Sequence, residues 1–350
     1  MRKLTLGILV IAVLFSSLQN FIVSADHGST LTITADTTLT EDFTGHVIVG
    51  ADNIVLDCNG HHIIGSGFFS AKPDFIGILL LGRIGVTVKN CHATGFFDGF
   101  GLISSSENTL LDNVATGNFQ GFTLCPRSLA YPLATCGGGE PNMAPGSRAN
   151  ALSGNMANNN LAGGFDIGFS DDNTLTGNTA DGNGLGGTFG SGFGLGFSVG
   201  NRLIGNTATN GFDGFSVEGV SQTLSANTAL GNFRGFRIAA TDSSFTDNTA
   251  SSNTFGFTIA RSLRDTFTGN AVSFNHFGFS LFSQADQPSA GNMITMNTIL
   301  ENSEGIHICA SAIGTNTYMP NTFLIVFRLP PPGGVIRFTN GANIVVDPSC

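Results

Sequence analysis

Tryptophan is absent from this chain, tyrosine occurs twice, and charged residues make up only 11% of its 350 positions. So little charge excludes the salt-bridge-laced helix faces of a coiled coil and the charge-rich composition of a disordered tail. Lys and Arg number 14 against 24 Asp and Glu, and the formal charge of −10 excludes a nucleic-acid partner and disfavours an anionic membrane surface. The same charge repels an acidic polysaccharide unless basic residues cluster locally or a cation mediates. Helical spacing of apolar residues is missing throughout, and no second apolar run follows the N-terminal one that would span a membrane. Asn-x-Ser/Thr sequons are missing too, despite abundant asparagine, which points to a prokaryotic exported protein.

What is present is glycine (48), phenylalanine (31) and a hydrophobic fraction of 41%, enough for a packed core. Arg2 and Lys3 precede the apolar run Leu6–Leu18, and Val23-Ser24-Ala25 offers small residues before a cut at Asp26. This pattern predicts a signal peptide over residues 1–25 and a secreted, periplasmic or cell-surface protein with no membrane span in the mature chain. Beyond it one phrase recurs: Asn-Val-Ala-Thr-Gly-Asn-Phe-Gln-Gly-Phe at 113–122, Asn-Thr-Ala-Leu-Gly-Asn-Phe-Arg-Gly-Phe at 227–236, and Asn-Thr-Ala-Ser-Ser-Asn-Thr-Phe-Gly-Phe at 248–257. Its leading Asn positions 206, 227, 248, 270 and 297 step by 21, 21, 22 and 27 residues. A period of that length marks a solenoid whose units bury their apolar faces only against their neighbours.

Each repeated residue has a physical task. In Asn173-Thr-Leu-Thr-Gly-Asn178, Leu175 points inward between outward neighbours, the period-two signature of a strand. The Asn tolerates a left-handed corner, and its amide both donates and accepts, so stacked copies form a ladder along the axis. The Gly of each Gly-Phe permits a tight corner, and Phe122, Phe215, Phe236, Phe257 and Phe279 form the expected stack. These features predict an all-β fold, a single-stranded right-handed parallel β-helix of about ten coils. Residues 26–52 are read as an N-terminal cap, 53–310 as coils with an insertion at 125–149, and 311–350 as the last coil and C-terminal cap.

From about Asn53 to Ile308 the Asn-Thr-x-x-x-Asn phrase followed by Gly-Phe-x-Ile/Leu/Val resembles the pectate-lyase-like parallel β-helix class. It looks closest to the repeat-only members grouped with the NosD-like periplasmic family. That resemblance implies the fold; the class includes polysaccharide lyases, hydrolases, epimerases and noncatalytic surface proteins. It also raises copper, for which His61, His62 and His92 are the candidates on successive coils, with His276 and His307 far along the axis.

Six cysteines in an oxidising compartment read as disulfides. Cys58 and Cys91 share a phase on successive coils, where a strand spacing of ~4.8 Å suits a bridge. Cys125 and Cys136 bracket a Pro/Gly-rich insertion, which leaves Cys309 for Cys350.

After each Gly-Phe an outward column is expected to run Thr123, Asp166, Ser198, Ser216, Arg237, Thr258, Ser280, His307. Asp166, Asp213, Glu218, Arg234 and Arg237 are expected to converge on neighbouring coils, beside insertions at Cys125–Arg148 and Ser283–Gly291. Two functions follow. The first is an exported module that binds an extended polysaccharide or another cell-surface component. The second is a calcium-assisted lyase acting on uronic-acid polymers, with Arg237 as base and Asp166, Asp213 and Glu218 around a calcium ion, Arg234 beside them. The plain reading of the same residues is that Arg234 and Arg237 neutralise Asp213 and Glu218 on a solvated sheet.

Overall fold

The computed structural model describes residues 29–67, 76–127, 144–184, 190–282, 289–309, 316–318, 320–324 and 344–347. The expected signal peptide, Cys136, Cys350, most of both insertions and most of the C-terminal cap lie outside them.

Every strand pairing is parallel, and the chain winds as a right-handed β-helix, the hand that parallel crossovers take. Each turn of the helix, or rung, visits three faces. One carries long strands such as Gly163–Gly168 and Asp213–Val220. The other two carry three-residue strands, for example Thr174–Thr176 and Thr179–Asp181. One of these short-strand faces stacks eleven strands. Short strands suffice because each has a neighbour above and below, so no backbone group on these faces is left for a long ladder to satisfy.

The core is built of stacks that run along the axis. Phe100, Phe122, Phe165, Phe193, Phe215, Phe236, Phe257 and Phe279 form one column with ring centroids 4.5–4.9 Å apart. Across from it, Ala115, Ala157, Ala180, Ala208, Ala229 and Ala250 line a short-strand face, all buried. Leu152, Leu175, Leu203, Leu224, Phe245 and Phe267 are buried on the other short-strand face, where Phe267 meets Phe257 edge-on at 5.9 Å.

The rung between Asp166 and Ser216 departs from the expected column. It contains two Gly-Phe steps, and the sequence reading places Phe197 inward with Ser198 in the outward column. Phe193 is instead the buried ring, stacked between Phe165 and Phe215, while Phe197 is 69% exposed. Gly194 therefore takes the place expected for Ser198, pairing with Asp166 on one side and Ser216 on the other.

Where one asparagine ladder is expected, three run along the corners. Asn113, Asn155, Asn178, Asn206, Asn227, Asn248, Asn270 and Asn297 form the second corner. In each, Oδ1 accepts the backbone N–H and the Nδ2 of the preceding rung's residue, as at Asn206–Asn227 (2.9 and 3.0 Å). Asn108, Asn150, Asn173 and Asn201 begin the first corner, which continues through Gln222, Ser243 and Asp265 to Asn292. The third contains Asn118, Asn160 and Asn183, breaks at Gly211, and resumes at Asn232, Asn253 and Asn275.

Cys58 and Cys91 take second-corner places on their rungs and are disulfide-bonded, as their shared phase implies (Cα–Cα 4.7 Å). Cys125 and Cys309 are also disulfide-bonded, with partners outside the described residues.

Candidate functional site

The spacing of the ladders decides where a site can be. First-corner and second-corner residues are always five apart, as in Asn173/Asn178 or Asp265/Asn270, and so are second and third, as in Asn227/Asn232. From Val86 onward, the variation in chain length falls between the third corner and the next first corner; only the earlier rung is longer between its short strands, with seven residues from Val55 to His62 against five from Thr87 to His92. The stretch from third corner to first ranges from 11 residues (Asn232 to Ser243) to 32 (Asn118 to Asn150). That stretch contains the long strand and both insertions, so walls and clefts form on this face.

The five residues singled out from the sequence all lie here, but they separate into two groups. Arg234 grips Asp213 on the preceding rung through both Nε and Nη2, the Nη2–Oδ2 contact being 2.9 Å, and its guanidinium stands 4.8 Å over the Phe212 ring. Arg237 Nη1 donates to Glu218 Oε1 (2.9 Å) and Ser216 Oγ (3.0 Å) on the preceding rung. Burial pushes the Asp213 carboxyl up against the opposing effect of Arg234. Asp166 belongs elsewhere: Gly194 and Ser216 stand between it and Arg237 in the column, three rung steps of ~4.8 Å each.

Asp166 instead completes a chain that the sequence does not announce. Gln120 Nε2 donates to Asp166 Oδ2 (3.3 Å), and Thr123 Oγ1 lies 2.9 Å from both Gln120 Oε1 and Asp98 Oδ1. Asp98 is 7% exposed, and burial pushes its carboxyl up to about 7, against the Thr123 hydrogen bond and with a further push from Asp166. Burial raises Asp166 as well. The contacts are self-consistent with Asp98 protonated: Asp98 donates to Thr123, Thr123 to Gln120, and Gln120 to Asp166. Asp98, Gln120 and Asp213 already share a column by their place before Gly-Phe. Asp98 and Gln120 are neighbours on adjacent rungs and Thr123 neighbours Asp166 on the next, so register brings the chain together across the insertion, which hides it from a count along the sequence.

Between these groups several columns carry glycine or serine, and the exposed Phe197 ring stacks on Phe169 beside them (5.2 Å). Gly163 and Ser191 occupy one column between Gln120 and Asp213; Gly194 separates Asp166 from Ser216; Gly168 pairs with Gly196 in the next column. A Cβ placed on Gly168 or Gly196 would meet nothing within 4 Å. The result is a backbone-floored trough about 10 Å long along the axis, two rung steps. Asp166 bounds one end; Asp213, Ser216 and the two arginines bound the other. Hydroxyl-rich ligands suit such a floor, because carboxylates and guanidinium groups offer fixed acceptors and donors at its rims.

A family profile described as periplasmic copper-binding protein (NosD) matches residues 143–319, just over half of the chain. The chain belongs to the NosD family. Among solved structures it is similar to the periplasmic alginate epimerase AlgG, with a TM-score of 0.64 and 12% identity over 85% of this chain and 76% of that one. It is also similar to the A-module of the Azotobacter vinelandii mannuronan C-5 epimerase AlgE4, with a TM-score of 0.52 and 13% identity over 85% of this chain and 87% of that one. At such identities the likeness is one of fold. No curated protein matches the chain in sequence. No helix among the described residues is long and apolar enough to cross a membrane.

Copper, named in the NosD description, needs several donors converging. Within the matched segment His307 directs Nδ1 to Glu304 Oε2 (2.7 Å), and the His276 ring packs against Phe277. Among the described residues no three His, Cys, Asp or Glu side chains converge as a ligand set. The described residues of the matched segment therefore do not fit a copper centre of that kind, and no chemistry is derived through one.

Proposed function

We propose that this NosD-family protein is exported and binds an extended polysaccharide, or another chain-like component of the cell surface, along its long-strand face. The observation that carries this reading is the glycine-floored trough over Gly168, Gly194 and Gly196, open to ligand among the described residues and rimmed by Asp166 and the Asp213–Arg234 pair. A periodic ligand suits a periodic face: successive sugars meet successive rungs, and binding accumulates from many weak contacts. Export agrees with the N-terminal pattern and with the periplasmic descriptions of NosD and AlgG. The ionic pairing of Arg234 and Arg237 favours binding over lyase chemistry, because a base must release its partner before it accepts a proton.

The test is a binding titration of the purified chain against alginate, pectate and neutral glucans, with Gly196→Trp as the blocking variant. Binding that falls at least ~10-fold in Gly196→Trp while the melting temperature holds supports the trough. Binding unchanged in that variant refutes it. Calcium-dependent formation of an unsaturated product, lost in Arg237→Ala, would replace this reading with the lyase.

A further inference from the structure

We infer, resting on the polysaccharide reading, that Phe197 is the stacking platform of the trough and that its ligand is an uncharged β-linked hexopyranose chain. Phe197 is 69% exposed and directly follows Gly196 of the trough floor. Phe169 follows Gly168 in the same way, and the two rings stack with centroids 5.2 Å apart and planes at 17°. Among the described residues no further ring stacks on Phe197. The pair lines one long edge of the trough, and its last ring keeps a face for a ligand.

The backbone presents this ring. Between Leu195 and Ser198 the register slips, so Gly196 and Phe197 together oppose the single residue Glu218 on the next rung. A bulge of this kind re-aims a side chain, and bulges are frequent beside functional sites. Phe169 and Phe197 both hold left-handed backbone (φ 49° each), a conformation that bulky residues avoid. Ser104 and Arg261 hold the same left-handed place before the first corner on other rungs, so the bend belongs to the fold and the aromatic rings to these two rungs. Folding does not account for a phenylalanine there, which strains the backbone more than asparagine would and leaves apolar surface in water. Charge selects the glycan. The rims carry Asp166, Asp213 and Glu218 against Arg234 and Arg237, both of which already hold carboxylates, and the whole chain carries −10. A polyuronate meets net repulsion here. A neutral pyranose with equatorial hydroxyls instead lays a C–H face on the ring and directs those hydroxyls to the Asp166 and Glu218 carboxylates. Equatorial linkages keep such a chain extended, so it can follow the rungs along the axis.

The experiment is a calorimetric titration of the full chain with cello- and laminari-oligosaccharides and with oligomers of mannuronate and galacturonate, alongside melting temperatures. The neutral oligosaccharides should bind at least ~10-fold tighter than the uronates. Phe197→Asn should weaken neutral binding about 10-fold, the worth of one aromatic contact, while the melting temperature holds or rises because Asn accepts the left-handed backbone. Phe197→Trp restores an aromatic face and should stay within ~3-fold of the parent. Unchanged affinity in Phe197→Asn, or uronates bound as tightly as neutral sugars, overturns the inference. If Gly196→Trp abolishes binding and Phe197→Asn does not, the trough stands and the platform falls; if the parent binds no glycan, both fall. Dimerisation of the parent that Phe197→Asn abolishes, with no glycan bound, would assign the ring to a contact between copies of the chain instead.

Discussion

Asp265 is the one carboxylate in the first-corner ladder, where neighbouring rungs use Asn201, Gln222, Ser243 and Asn292. It is fully buried, and burial pushes its carboxyl up to about 6 from an ordinary value of 3.8, with Asp242 adding to the rise and Ser262, the Ser243 N–H and Arg264 opposing it. A carboxyl whose folded-state pKa is raised costs stability when it ionises. The cost is absent below about pH 4, grows as pH rises toward 6, and is complete above that. Roughly two units at ~1.4 kcal/mol each give about 3 kcal/mol at neutral pH. Asp265→Asn removes the charge and restores the amide. Its Oδ1 still accepts the Ser243 N–H, and its Nδ2 reaches the Ala240 carbonyl, by analogy with Asn292 and the Ser262 carbonyl (2.9 Å). Ser262, now facing an NH2 group, can donate to Asn292 Oδ1 (3.3 Å) instead. The expected outcome is a gain of about 3 kcal/mol at pH 8, or roughly 5 °C in melting temperature, that shrinks toward pH 4. Thermal melts of both proteins from pH 4 to 8 measure it. An equal gain at every pH would show that the amide, and not the charge, matters; a loss at pH 8 would refute the buried-charge argument outright.

Three further outcomes follow from the same geometry. Phe236→Asp puts a charge between Phe215 and Phe257 and should abolish cooperative folding, whereas Phe236→Ala should cost about 3–5 kcal/mol; a parent-like melt for either would mean the stack is not the core. Cys58→Ala with Cys91→Ala opens a closure of 33 residues and should cost about 4 kcal/mol in chemical denaturation, with no loss if the N-terminal rungs unfold separately from the rest. Asp98→Asn removes a carboxyl pushed up to about 7, so it should stabilise the protein at pH 8 and be neutral at pH 4; a stabilisation that persists at pH 4 would show that Asp98 is not protonated there.

The sequence makes the fold legible because the repeat names its own core and corners. Phe236 and Asn227 sit where period and chemistry both place them. The second and third ladders were equally available, since Asn108, Asn113 and Asn118 recur at five-residue spacing, and so do Asn150, Asn155 and Asn160. Phe193 also had a signal. Outside the two rungs that carry the insertions, inward phenylalanines precede the next first-corner residue by seven or eight positions, as Phe165 does Asn173, and Phe193 meets that count for Asn201 while Phe197 does not. The site was less legible for a physical reason. Arg234 and Asp213 pair because one rung separates them, which spacing reveals. The Asp98–Thr123–Gln120–Asp166 chain depends on long side chains leaning along the axis and on burial by their neighbours, and neither is periodic.

The ladders also explain why a groove belongs on the long-strand face. A corner amide that must meet its counterpart one rung away fixes the chain length between corners, and a missing residue would leave a buried amide unsatisfied at a cost of about 1–3 kcal/mol on every rung it misaligns. Where the ladders run, the short-strand faces can therefore change side chains but not length; the longer connection from Val55 to His62 lies on a rung before they begin. A polysaccharide groove needs walls, hence extra chain, and only the stretch before the first corner can supply it. The long strand next to the Asn118–Asn150 insertion carries Asp166, and the trough begins there. Shortening that insertion should leave the ladders intact and change glycan binding alone.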